Sequence, residues 1–193
     1  PVDRRQRQMC IRDSSKVLPY AGDFITESVA LSLKIPSFQA EEIKMKYGSA
    51  IADDIQDEVL KLKGLDNHNE IEISKKALCE IIEHNLSIII RNCMSTIEQN
   101  GLQDSVATGF VLSGGTANLE NIVKLGEVIS QKDFKIGSPE FSNIKNVDNL
   151  NKPQFAASVG MAKYCAEVDD KEFTFNRSKG IIGRTLEWLR SEM

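Results

Sequence analysis

Two short patterns in this 193-residue chain put chemistry-bearing groups at useful spacing. The first is the apolar run Val106 to Ser113, followed at once by Gly114-Gly115. It reads as a buried strand that turns into a helix from about Ala117 to Ile129. Such a junction aims backbone N–H groups and the positive end of a helix dipole at one point. Glycine there lets a ligand approach the backbone with no Cβ between them. This suits a nucleotide phosphate or the flat face of a base, and it equally serves as a plain tight turn of an α/β protein. The second pattern is Glu41 and Lys44, one helical turn apart and on one face. The carboxylate can accept from ribose hydroxyls while the ammonium donates to ribose or base. The alternative is a surface ion pair worth about 0.2–0.5 kcal/mol.

A third pattern closes the chain. On a helical wheel, Ile181, Ile182, Thr185, Leu186, Trp188, Leu189 and Met193 fall in one arc. Arg184, Glu187, Arg190 and Ser191 fall opposite, and Glu192 is an exception inside the apolar arc. Arg177 and Lys179 come just before. A lone Trp beside arginines on a short amphipathic helix suits the interface of a bilayer. Each basic residue near an anionic leaflet adds about 1 kcal/mol. The alternative is a helix that docks on its own domain or on a partner. The charged stretch 167–176 favours the membrane, because a docking helix needs no tether.

Composition narrows the remaining classes. With 41% hydrophobic and 27% charged residues, the chain can bury a core and is neither a polar tail nor a disulfide mini-protein. A net charge of −4 argues against nucleic acid, which needs a basic footprint. No apolar run is long enough to span a bilayer, and no secretory signal opens the chain. The four cysteines, Cys10, Cys79, Cys93 and Cys165, form no Cys-x-x-Cys pair and read as thiols in a reducing compartment. Cys79 and Cys93 fall on the apolar face of a helix and are expected in the core. His68 and His84 show no nucleophile spacing, and no metal set is expected. Residues 1–14, PVDRRQRQMCIRDS, are polar, basic and aperiodic. They resemble translated adapter read-through and are expected to be non-native, to pack on nothing and to stand in place of a missing N-terminal part.

The elements that must position these groups follow from periodicity and punctuation. Lys16 to Tyr20 reads as a short strand. Thr26 is expected to N-cap a helix through about Lys34, and Ser37 a second helix that Gly48 ends. Two short strands are expected near Glu58–Lys63 and Glu70–Ile73. Ser74 caps a long helix whose apolar positions Leu78, Ile81, Ile82, Ile89, Cys93 and Ile97 keep helical spacing, ended by Asn100-Gly101. A strand at Asp133–Ile136 follows the helix after the glycine pair. Pro153 then opens a helix of small residues from Phe155 to Ala166, and a last helix covers Ile181 to Met193.

Taken together, these runs resemble a known family. VLPYAGDFITESVALSLKIPSFQAEEIKMKYGSA looks like the segment after the second phosphate loop of the actin-like division proteins of the FtsA family. FVLSGGTANLENI looks like their adenosine motif, KPQFAASVGMAKY like the helix after it, and GIIGRTLEWLRSEM like their membrane-targeting tail. The resemblance implies an α/β, actin-like (ribonuclease H-like) ATPase fold of which only the second half is present. Subdomain IIA would take residues 15–26 and 104–168, subdomain IIB 27–103, a linker 169–179, and the amphipathic helix 180–193. It implies that Glu41 and Lys44 face ribose and base, and that Gly114, Gly115 and Thr116 lie against adenosine and phosphates. ATP and magnesium are the implied cofactors of the intact protein. This chain lacks both phosphate loops and the family's catalytic acid, so tight nucleotide binding is not expected of it, and no enzyme product is. The implied partners are the C-terminal tail of FtsZ, an anionic membrane surface and further copies in a filament, on the inner face of the cytoplasmic membrane. Asn85 and Ser87 stand where the family usually carries an arginine and a glutamate near the FtsZ-tail site. The alternatives are an actin-like scaffold of the PilM or MreB kind and a sugar or acetate kinase of the same fold.

Overall fold

The computed structural model of this chain describes residues 15–63, 70–140 and 150–166. Helix α1 spans Gly22–Leu33 and buries Ile25, Thr26, Val29 and Ala30. It stops where Lys34 turns left-handed (φ 54°) and Pro36 resets the chain. Helix α2, Ser37–Tyr47, lays Ala40, Ile43 and Lys44 against it. Strands β1 (Val59–Lys63) and β2 (Glu70–Ser74) form an antiparallel pair in the register Leu60↔Ile73 and Leu62↔Ile71. The long helix α3, Lys75–Gln99, follows directly and buries Leu78, Cys79, Ile82, Leu86 and Ile90. At its start the Ala77 N–H donates to Ser74 Oγ at 3.1 Å, and the Ser74 hydroxyl donates to Asp57 Oδ1 at 2.7 Å. That pair meets the unpaired donors and the positive dipole end with a hydroxyl and a carboxylate.

The second sheet is parallel. Strands β3 (Phe110–Leu112) and β4 (Phe134–Ile136) pair with Phe110 opposite Phe134, their rings 4.9 Å apart. Helix α4, Ile122–Ser130, lies in the crossover that parallel strands require. It sits very close to the sheet: a Cβ added at Gly126 would lie 2.5 Å from the Phe134 ring. Residues 156–166 form helix α5, entered through a short 3-10 turn at Pro153–Phe155. One cluster joins Ile25, Val29, Ile43, Leu78, Ile82, Ile122, Leu125 and Phe134, so the two sheets and α1–α4 share a core.

Several expectations are corrected here. Lys16 to Tyr20 is not a strand: no described strand runs beside it to complete a ladder, and Val17 is exposed. Thr26 does not cap α1, which begins four residues earlier. Ser37 is the first helical residue rather than a side-chain cap, with Pro36 in the capping position. The strand read at Val106 to Ser113 shrinks to three residues, and Val111 is 71% exposed among the described residues. The helix read from Ala117 starts at Ile122. Cys93 is exposed, because the far end of α3 runs past the core, whereas Cys79 is buried as expected. No disulfide joins Cys79, Cys93 and Cys165. The first fourteen residues, the linker and the terminal helix lie outside the described residues.

Ile82 has no exposed surface and sits where α1–α4 converge. Ile82→Ala should therefore cost about 2–5 kcal/mol of unfolding free energy in urea melts. Val111→Thr should leave the midpoint nearly unchanged.

Candidate functional site

The site is built on a buried cation. Lys44 lies on the inward face of α2 and is 5% exposed. A buried ammonium is tolerated only when its donors are met. Lys44 Nζ donates to Glu41 Oε2 at 2.5 Å, to Thr26 Oγ1 at 2.7 Å and to Gly22 O at 3.1 Å. The Thr26 hydroxyl in turn reaches the same oxygen of Glu41 and, at 3.1 Å, the Gly22 carbonyl. Helices α1 and α2 are thus stitched together by one charge and one hydroxyl. The pair read as a possible surface ion pair is an ion pair, but its cationic end is inside the protein. The three donors of Lys44 are matched by Glu41, Thr26 and Gly22, and its side chain also lines the cleft described below.

Glu41 is the exposed end of this network, with 40% of its side chain accessible. Partial burial pushes its carboxyl pKa up. The hydrogen bonds from Lys44 and Thr26 and the lysine's charge outweigh that and hold it below the usual value of 4.5.

Opposite Glu41 runs the glycine turn. Gly114 takes φ 98°, a backbone region that favours glycine, and its N–H donates to Pro153 O at 2.9 Å. Gly115–Asn118 is a single 3-10 turn. The expected convergence of an α-helix N-terminus on this point is therefore absent: one N–H is spent on Pro153 and α4 begins seven residues beyond Gly115. What remains is an open backbone face. A Cβ built at Gly114 or Gly115 meets no atom of the described residues within 4 Å. Thr116 turns towards α1, where its Oγ1 would lie 2.7 Å from a Cβ on Gly22.

All five residues singled out from the sequence, Glu41, Lys44, Gly114, Gly115 and Thr116, line one cleft of about 1090 Å³. Its floor is apolar, from Leu86, Ile89 and Ile90 of α3 with Leu112, Leu119 and Ile122. Its rim includes four residues that the sequence reading did not single out: Gly22, Asn118, Lys152 and Gln154. Gly22 was legible in principle, since Ala21-Gly22-Asp23 announces a helix start with an acid in its first turn. Asn118 and Gln154 were not. Their bond, Asn118 Nδ2 to Gln154 Oε1 at 2.8 Å, joins segments 36 residues apart with no motif between them. Among the described residues no group of three His, Cys, Asp or Glu could hold a metal ion.

Asn85 and Ser87 separate. Asn85 is buried, accepts from the Ser28 hydroxyl at 3.1 Å and donates to Ile81 O at 2.7 Å, tying α3 to α1. Ser87 borders a different cavity of about 460 Å³ with Glu80, Glu83, His84 and Arg91. The membrane-helix residues Ile181, Ile182, Arg184, Leu186, Trp188, Leu189 and Arg190 lie outside the described residues.

A family model, Cell division protein FtsA, matches residues 6–160. The chain belongs to the FtsA family. Cell division protein FtsA of Pseudomonas aeruginosa is 31% identical over 149 residues, 77% of this chain and 36% of that protein. FtsA of Escherichia coli K12 is 25% identical over 193 residues, 92% of this chain and 46% of that protein. The chain thus spans less than half the length of these FtsA relatives. Two solved structures of MreB 5 from Spiroplasma citri share the actin-like fold. The one described as bound to AMPPNP has a TM-score of 0.58 at 18% identity, covering 80% of this chain and 47% of that one. The one described as bound to ADP has a TM-score of 0.52 at 20% identity, covering 63% and 40%.

Because the folded carboxyl of Glu41 titrates below its usual value, it contributes stability that is complete above about pH 4.5 and is lost as pH falls from there through the depressed folded value. Urea midpoints measured between about pH 6 and 3 should fall more steeply for the wild type than for Glu41→Gln. Parallel curves would show that the carboxylate is not held by Lys44 and Thr26.

Proposed function

We propose that this chain supplies one wall of the adenosine site of an FtsA-type division protein and carries that site to the membrane. The observation that carries the reading is the convergence of Glu41 with the bare Gly114-Gly115 backbone across one cleft in a chain of this family. The residues fit an adenosine: the Glu41 carboxylate accepts from ribose hydroxyls, and Gly114 and Gly115 leave room for a flat group against the backbone. Thr116 sits beside them on the side of α1. The ADP and AMPPNP named for the two MreB 5 structures support a nucleotide here. ATP, when bound, would supply preferential stabilisation of one closed shape, in which copies associate into a filament. The protein's work is tethering rather than making a product, and any hydrolysis times the cycle.

The terminal helix gives the second half of the reading. One short amphipathic helix binds lipid weakly and reversibly. Many such helices on one face of a filament act at high effective concentration, and weak contacts become firm attachment. The helix Ile181 to Met193, with Trp188 in its apolar arc, would pin the filament to the inner face of the cytoplasmic membrane. FtsZ would be held there through its C-terminal tail.

Adenosine titration of the 193-residue chain, followed by amide NMR shifts, checks the cleft. Wild-type shifts should cluster around Glu41 and Gly114–Thr116, and Gly115→Val, whose side chain would enter the cleft, should abolish them without altering the melting temperature. Shifts scattered elsewhere would remove the nucleoside reading. Vesicle sedimentation checks the tail: the wild type should pellet with anionic liposomes and Trp188→Glu should stay in the supernatant. Equal pelleting would remove the membrane reading.

A further inference from the structure

Thr26 was expected to start a helix, and instead it sits buried inside α1 between two charged groups of α2. Its oxygen accepts from Lys44, and its one proton has two acceptors in reach, Glu41 Oε2 and, at 3.1 Å, the Gly22 carbonyl one turn back, of which the carboxylate is the nearer and the charged one. Lys44 donates to that same carboxylate oxygen and to the Gly22 carbonyl. Oε2 is therefore faced from inside the protein by the Lys44 ammonium and the Thr26 hydroxyl, and the three donors of the lysine are matched by three acceptors. Among the described residues nothing donates to Oε1, and Glu41 borders the cleft. A charge-assisted pair of bonds to one oxygen fixes the carboxylate plane as well as its position.

We infer that Thr26 is a positioning residue for nucleoside recognition: together with Lys44 it clamps Oε2 of Glu41, so that Oε1 alone is offered to the ribose hydroxyls. The inference rests on the nucleoside reading of the cleft. It assigns Lys44 to holding the acceptor rather than touching the ligand. Preference for ribose over a sugar without hydroxyls then depends on a threonine that does not line the cleft. The surroundings of Glu41 support this economy. The other charged groups on the cleft are Asp23 from α1 and Lys152 beyond the glycine turn, while α3 contributes only Leu86, Ile89 and Ile90. Lys44 is the only cation bonded to Glu41 among the described residues.

The test uses the 193-residue chain with adenosine and 2′,3′-dideoxyadenosine as probes, and a carboxyl-carbon NMR titration of Glu41 that needs no ligand. The wild type should prefer adenosine. Thr26→Val keeps the branched shape and removes the hydroxyl. It should weaken adenosine about tenfold, leave the dideoxy compound nearly unchanged, and move the Glu41 titration to higher pH. Thr26→Ser should restore all three. Should Thr26→Val not fold, Thr26→Ala compared with Thr26→Ser reads the same differences. Unchanged discrimination and an unchanged titration would overturn the role, as would a serine variant no better than valine. A wild type that binds neither probe would overturn the nucleoside reading, and the Glu41 titration would still decide whether Thr26 clamps the carboxylate.

Discussion

An ammonium group can stay inside a protein only if every one of its protons finds an acceptor. In this chain that requirement falls on Lys44, and meeting it organises much of what surrounds it. Glu41 comes from the same helix one turn back. Thr26 and the Gly22 carbonyl come from the first turns of another helix, so α1 and α2 cannot slide past each other without stranding the charge. The cost of an unmet buried charge is several kcal/mol, larger than any single apolar contact between the two helices. Polar bonding therefore sets their relative position, and the apolar residues Ile25, Val29 and Ile43 fill the space that position leaves.

The cleft depends on this arrangement in a second way. Gly22 has no side chain at the point where α1 approaches Thr116, and a Cβ there would strike the threonine oxygen at 2.7 Å. The close approach brings the glycine turn, which lies more than sixty residues away in the chain, to the mouth of the Lys44 network. One wall of the cleft is thus charged and held by hydrogen bonds, the other is bare backbone, and the floor between them is aliphatic.

The helices and the hairpin were legible in the sequence because their signals are local. The spacing of Leu78, Ile82 and Leu86, the Ser74 cap, and the alternation of Leu60 and Leu62 against Ile71 and Ile73 require no knowledge of distant segments. The residues that meet in the cleft could be singled out for the same reason: a glycine pair after a strand and a carboxylate one turn from a lysine are short patterns. What the sequence hid was non-local. Thr26 looks like a cap until its partners on α2 are known. Val106 to Ser113 looks like a buried strand, yet among the described residues only Phe110–Leu112 pairs, with one partner, β4. Cys93 looks like core because periodicity does not say where a long helix outruns its neighbours. The inward turn of Asn85 has no sequence signature, since its partner Ser28 is 57 residues away.

The contact of Gly126 with the Phe134 ring carries a consequence for how this protein can vary. Helix α4 rests on the aromatic ring with no spacer, so even one methyl at position 126 would act as a wedge and lever the helix off the parallel sheet. Two residues along, Val128 points to solvent and has no such neighbour. Drift within the family should therefore be free at one of these positions and frozen at the other, a contrast that hydrophobicity alone would assign the wrong way round.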